Sequence, residues 1–174
     1  RRQGYVKDRD FLAYYVREFK PGARLGKSVL SGLESDTGVT ASRLEATRLV
    51  GKIATALKSK SLRKAFVRGV LQDAGWDQAG LGIVFGGVRG IAGGDAAFMA
   101  PLTLSLPGRL RFALVLAVVR VDRALQVLYL LSAPNTKIVS AEATTLAGIV
   151  AARMRAGLIP GSVAAPTVSG TAQE

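Results

Sequence analysis

Residues 21–28, with the sequence Pro-Gly-Ala-Arg-Leu-Gly-Lys-Ser, differ at one position from a phosphate-binding loop. That loop needs a glycine, four residues, and then Gly-Lys-Ser or Gly-Lys-Thr, because its backbone amides and lysine hold the phosphates. Pro21 occupies the first glycine position and has no amide hydrogen to donate. Residues 116–122 resemble the hydrophobic run and acid that hold magnesium, but the strand–helix alternation of such proteins is missing. We therefore do not expect nucleotide hydrolysis.

Other catalytic chemistry finds little support in the residue types. The sequence contains no histidine and no cysteine, which removes the commonest general base, the commonest metal ligand and all thiolate chemistry. Three pairs of acids are close in sequence, Asp8 and Asp10, Glu34 and Asp36, and Asp73 and Asp77. Each pair falls in a predicted loop or helix end, where acids are expected for structural reasons. The sequence predicts no enzyme, no cofactor and no metal site.

The glycine-rich segment 86–94 is not a dinucleotide-binding loop, because it lacks Gly-x-Gly-x-x-Gly before a helix. Glycines there indicate a turn or bulge between strands, and we expect Asp95 to tie that turn through nearby backbone amides.

Binding chemistry is better supported, because 24 lysines and arginines against 12 acids give a net charge of +12. Such a charge favours anionic partners, whether nucleic acid, lipid or cell-wall polymer. A basic surface is predicted on two helices, at Arg48, Lys52, Lys58, Arg63, Lys64 and Arg68. A second set, at the ends of a long apolar strand, could form the rim of a ligand groove: Arg109, Arg111, Arg120 and Arg123. Aromatic residues make up only 6% of the chain, which disfavours sequence-specific recognition of single-stranded nucleic acid but leaves nonspecific phosphate binding open.

The helices that would carry the basic surface are marked by caps. The Ser42–Glu45 spacing predicts a capping box, followed by an apolar stripe at Ala46, Val50, Ile53 and Leu57. Ser61 is predicted to cap a second helix that ends near Gly75. A last helix is predicted from Ser140, with an apolar stripe at Ala143, Leu146, Ala147, Val150 and Met154. Near the N-terminus, the spacing of Phe11, Leu12, Tyr15 and Phe19 favours a short helix from Lys7, with a strand as the alternative. Residues 22–40 read mainly as loop.

Between these helices the pattern becomes extended. Strands are predicted at 83–88, 96–106, 110–121 and 124–132, with a tight hairpin at Asp122-Arg123. Pro101 should place its strand at an edge or bend it at a bulge. The sequence therefore predicts an α+β sandwich in which an antiparallel meander packs against helices on one face. Residues 1–160 should form a single domain and residues 161–174 a flexible tail.

The strand at 110–121 is apolar on both faces, so both faces should be covered. Helices would cover one. The other could be covered by the rest of this chain, by a second copy in a homodimer, or by an apolar ligand. The longest uninterrupted apolar run, residues 112–119, is too short to cross a membrane.

A family resemblance follows from several short segments. These are Ala74-Gly75-Trp76, Gly94-Asp95-Ala96, residues 117–125, and Ala152-Arg153-Met154. Together they resemble secreted actinobacterial lipoproteins and sensor-type extracellular domains, of the PknH type or the LpqN type. The resemblance implies an α/β sandwich with an antiparallel sheet, a location outside the cytoplasmic membrane, and ligand binding instead of catalysis. The sensor-type domains often carry disulfides, which this chain lacks.

Taken together, these features predict an exported, non-catalytic binding or sensor domain for a lipid-like or anionic cell-envelope ligand. Two alternatives remain open, a structural module that dimerises through its sheet and a basic nucleic-acid-binding protein.

Overall fold

The computed structural model describes residues 11–19, 30–61, 63–65, 82–106, 110–136 and 140–158. Within these ranges, seven strands form one antiparallel sheet, and two long helices pack against it. The α+β class and the antiparallel sheet predicted from the sequence are therefore confirmed. The predictions for residues 1–10, the end of the second helix near Gly75, and the tail lie outside the described residues.

The strands follow the chain in a simple order. They are β1 (Ala13–Phe19), β2 (Leu30–Val39), β3 (Gly82–Phe85), β4 (Arg89–Gly90), β5 (Ala96–Ser105), β6 (Arg111–Val121) and β7 (Ala124–Ser132). The helices are α1 (Arg43–Lys58) and α2 (Ser140–Leu158). Across the sheet the order is β1-β2-β7-β6-β5-β3, and β4 pairs with β5 beside β3. Strand β6 is consequently central, which suits its long apolar run.

The two helices lie on opposite faces of this sheet. Val50 and Leu57 of α1 pack with Leu116 and Val118 of β6. We call the side of the sheet to which Leu116 and Val118 belong the α1 face. Ala147 of α2 packs with Val119 and Val121, and Ala143 packs with Val115 and Ala117; these strand residues belong to the α2 face. The prediction that helices pack on one face is therefore wrong. An apolar strand needs cover on both sides, and this chain supplies both covers from its own helices.

Strands β1 and β2 occupy positions where the sequence favours a helix and a loop. The helix predicted from Lys7 is wrong over residues 13–19, and the predicted loop is wrong over residues 30–39. The aromatic spacing near the N-terminus fits both helical and extended periods, so pairing decides. Strand β2 contains few strand-favouring residues, but it is hydrogen-bonded on both sides, by β1 and by β7. Tertiary pairing overrides local propensity here.

Pro101 does not place β5 at the edge of the sheet. Strand β5 pairs with β6 along its full length and with β3 and β4 on its other side. The pairing on that outer side is interrupted around Pro101, where the Gly86 amide donates to the Pro101 carbonyl at 2.8 Å. Pro101 of β5 lies opposite the gap between β3 and β4. A proline is tolerated there because it has no amide hydrogen to donate to a neighbouring strand.

Helix α1 begins as predicted, because the Ser42 hydroxyl accepts a hydrogen bond from the Glu45 amide at 3.2 Å. Ala46, Val50 and Leu57 are buried, which confirms the apolar stripe. After Ser59, residues 60, 61 and 63–65 are helical, and the Arg63 amide donates to the Ser59 carbonyl at 2.9 Å. The helix that follows α1 thus starts before Ser61, and the predicted cap at Ser61 is wrong.

Candidate functional site

The strand-end arginines do not share one place in the structure. Arg111 is exposed at the start of β6, while Arg120 and Arg123 lie at its other end, beside the β6–β7 hairpin. An eleven-residue strand separates the two ends by about 33 Å. Arg109 lies outside the described residues. The three described arginines therefore cannot together form the single groove rim that the sequence predicts.

Arg120 is a buried residue with defined partners. Its side chain is only 7% exposed, and its Nη1 lies 3.5 Å from Asp95 Oδ2 and donates to the Asp122 carbonyl at 3.0 Å. Asp95 Oδ1 also lies 3.9 Å from Nη2 of Arg155, which is half-exposed on α2. A buried guanidinium is stabilised only when such partners replace its water. Arg120 therefore connects the hairpin to the β4–β5 loop, while Arg123 extends into solvent.

Asp95 acts across the sheet end and not within its own turn. Its carboxylate accepts a hydrogen bond from the Asp122 amide at 2.8 Å, and its own amide donates to the Arg120 carbonyl at 2.7 Å. The neighbouring Gly94 has a φ of 62°, and a Cβ atom there would collide with the Arg120 carbonyl. The prediction that Asp95 ties the glycine-rich turn to itself is corrected accordingly. It fixes the β6–β7 hairpin.

The basic helix residues are mostly on the surface. Arg48, Lys52, Lys58 and Lys64 are exposed. Arg63 is half-buried, and its guanidinium lies over the Phe85 ring, 5.0 Å from the centroid, which is a cation–π geometry. Arg68 lies outside the described residues.

Two of these cations border an open groove of about 270 Å³ beside the first half of α1. The groove is lined by residues of three neighbouring segments, namely Phe11, Leu12, Thr40, Ala41, Glu45, Arg48, Leu49 and Lys52. Apolar side chains from the segment before β1 and from α1 therefore lie next to two positive charges. Clefts that combine an apolar lining with a few polar groups are typical of ligand sites.

Backbone pairing sets the position of the groove. The Leu12 amide donates to the Val39 carbonyl at 2.7 Å, which extends the β1–β2 ladder by one residue. The Phe11 ring packs on Gly38 of β2, where a Cβ atom would collide with it. Because Gly38 lacks a side chain, the ring can lie close to the sheet next to α1. Phe11 and Leu12 consequently lie beside the helix.

Thr40 fixes the other wall, at the step from β2 into α1. This residue is only 1% exposed, and its amide donates to the Arg123 carbonyl at 3.0 Å. Its hydroxyl lies 2.7 Å from the Ser42 carbonyl and 3.0 Å from the Arg123 carbonyl. The start of α1 is thus held against the hairpin, and a held backbone gives the groove a defined shape.

The described lining of the groove carries two cations, Arg48 and Lys52, and one acid, Glu45. Arg48 and Lys52 are four residues apart, so they lie on the same side of α1, one turn from each other. Neither forms an ion pair with an acid in the part of the chain that the structure describes. Glu45 is also exposed in the groove, and its amide is used in the cap. An anionic group near Arg48 and Lys52 would therefore meet two cations that the described carboxylates do not pair with.

Sequence reasoning identified Arg48 and Lys52 but missed Phe11, Leu12, Thr40 and Leu49 as their neighbours. The adjacent apolar residues Phe11 and Leu12 were a signal, but they point to this groove only after β1 is recognised as a strand paired with β2.

Among the described residues, no group of three acids is arranged to hold a metal ion. No helix in those ranges is long and apolar enough to cross a membrane. The chain matches no protein-family model, and no curated protein matches it either. The resemblance to secreted lipoproteins and sensor domains therefore stays a prediction.

Proposed function

We propose that this chain is a non-catalytic binding domain of the cell exterior, whose groove beside α1 takes a ligand with an anionic group and a short apolar part. One observation carries the proposal: Arg48 and Lys52, free of ion pairs with the described acids, share an open groove with Phe11, Leu12 and Leu49. The cations suit a phosphate or carboxylate, and the apolar side chains suit a few methylene groups.

The fold favours the groove beside α1 as the ligand site and disfavours the two faces of the sheet. Leu116, Val118 and Val119 of the central strand are at most 1% exposed beneath the two helices. A ligand on either face of β6 would have to displace the helix that covers that face. For the same reason we favour a groove ligand over dimerisation through the sheet face. Export is proposed from the resemblance to secreted proteins alone.

The proposal is tested by calorimetric titration of octyl phosphate below its micellar concentration, with octyl glucoside as the uncharged control. We expect octyl phosphate to bind and octyl glucoside to bind at least about tenfold more weakly, because only the phosphate engages the cations. Amide shifts in an NMR titration should concentrate at residues 40–52.

Two double variants separate the groove from net charge. Arg48→Gln with Lys52→Gln should weaken octyl phosphate binding by about tenfold. Lys58→Gln with Lys64→Gln removes the same charge from exposed positions outside the groove lining and should change affinity by less than about twofold. Equal losses in both variants would refute the groove and favour diffuse polyanion binding, the nucleic-acid alternative.

A further inference from the structure

We infer that the groove surface docks onto an anionic lipid bilayer, with Leu12 and Leu44 entering the headgroup region and the nearby cations contacting lipid phosphates. This inference rests on the proposed function and names the physical form in which the anionic, partly apolar ligand is met. The partner is the membrane surface, not a lipid taken out of it.

Two large apolar side chains are exposed here, Leu12 in the groove lining and Leu44 on α1, next to the lining residue Glu45. Leu12 is 68% exposed in the groove, and Leu44 is 59% exposed on the first turn of α1. Burying either side chain against a partner would be favourable, because it removes apolar area from water. Leu44 precedes Arg48 by four residues, so the two side chains are neighbours on α1.

Positive charge lies close to Leu44 along α1, and two of the same cations share the groove lining with Leu12. Arg43 and Arg48 flank Leu44 on α1, and Lys52 follows one turn later, all three exposed. Helix α1 carries four basic residues and one acid, Glu45. Glu45 opposes an anionic partner locally, but the chain as a whole carries a net charge of +12. Exposed leucines among cations are complementary to a bilayer surface, where apolar chains lie beneath anionic headgroups.

The surrounding structure suits shallow docking. The described helices include none that could cross a membrane, so attachment through these residues would be peripheral. The start of α1 is held by Thr40 against the β6–β7 hairpin, so Leu44 projects from a fixed backbone. Such preorganisation lowers the ordering cost of binding.

The other exposed large apolar residues provide matched controls. Val84 is 65% exposed on β3 and Ile149 is 45% exposed on α2, both away from the groove lining. Changing them to serine removes comparable apolar area without altering charge. A difference between the two pairs would therefore report the place of contact and not general stickiness.

The test is flotation of the full chain with vesicles of phosphatidylcholine, with and without phosphatidylglycerol. We expect binding to the anionic vesicles, weakened about tenfold by Leu12→Ser with Leu44→Ser, because two buried leucine contacts are lost. Val84→Ser with Ile149→Ser should change binding by less than about twofold. Circular dichroism of each variant checks that it is folded.

Two results would overturn the inference: no binding to anionic vesicles, or equal binding by the Leu12/Leu44 variant and the wild type. The second would mean that net charge alone holds the protein to the vesicle. Octyl phosphate monomers separate this from the proposed function. If the protein binds octyl phosphate monomers but not anionic vesicles, the groove function is supported and the docking is refuted. If it binds vesicles but not monomers, the docking is supported and the groove ligand is refuted. Binding of neither removes both.

Discussion

At the scale of single residues, Asp95 contributes most clearly to stability. Its carboxylate meets the buried Arg120 guanidinium and the Asp122 amide at the sheet end. Asp95→Ala should lower the free energy of unfolding by about 2–4 kcal/mol, since a buried charge and an amide lose their acceptor. Asp95→Asn keeps an acceptor for the amide and should cost about half as much. Urea unfolding followed by circular dichroism measures both.

Arg155→Ala is the control for Asp95. Its Nη2 lies 3.9 Å from the same carboxylate, but the arginine side chain is 54% exposed. Exposed ion pairs contribute little, so its removal should cost less than about 0.5 kcal/mol. A loss for Asp95→Ala no larger than this would show that Arg120 is solvated, contrary to the structure.

At the scale of the elements, α1 contains an avoidable weakness at Gly51. A Cβ atom at this exposed helical position would meet nothing within 4 Å. Gly51→Ala should therefore raise the free energy of unfolding by about 0.5–1 kcal/mol, because alanine loses less backbone entropy in a helix. Nothing in the structure explains the glycine.

Gly94→Ala is the opposite case, because Gly94 lies in a crowded turn and Gly51 on an open helix face. A side chain at Gly94 would collide with the Arg120 carbonyl and strain a backbone with φ of 62°. We expect destabilisation by more than about 2 kcal/mol. In thermal unfolding, we expect Gly51→Ala to raise the Tm and Gly94→Ala to lower it. A Gly94→Ala protein as stable as the wild type would contradict the close contact with the Arg120 carbonyl.

The elements also show what the sequence could and could not predict. Strands β6 and β7 and both long helices were predicted, because uninterrupted apolar runs and caps mark them locally. Strand β2 was missed because its polar and glycine residues become a strand only through pairing with β1 and β7. Missing β1 and β2 also hid the groove, since that pairing places Phe11 and Leu12 beside α1. Arg48 and Lys52 could be chosen from charge alone, but their apolar neighbours could not.

At the scale of the whole molecule, the double apolar character of β6 has a direct explanation. It belongs to one core divided by a sheet, with α1 on one side and α2 on the other. Adjacent residues of β6 therefore pack against different helices. Val118 faces α1 and Val119 faces α2, and each is 0% exposed. No partner molecule is needed to explain why both faces are apolar.

Val118→Ala and Val119→Ala should each lower the free energy of unfolding by about 2–3 kcal/mol, because each removes buried methyl groups and leaves a small cavity. If the described part of the chain is one cooperative unit, both variants keep a single transition in urea, and helical and aromatic signals coincide. A negligible cost at Val119 alone would mean that α2 does not cover its face in solution. That side of the sheet would then be open to a ligand or a second copy, which are the two alternative covers that the sequence predicts. Similar costs at both positions, with one shared transition, would show that the helices of this chain cover both faces of β6.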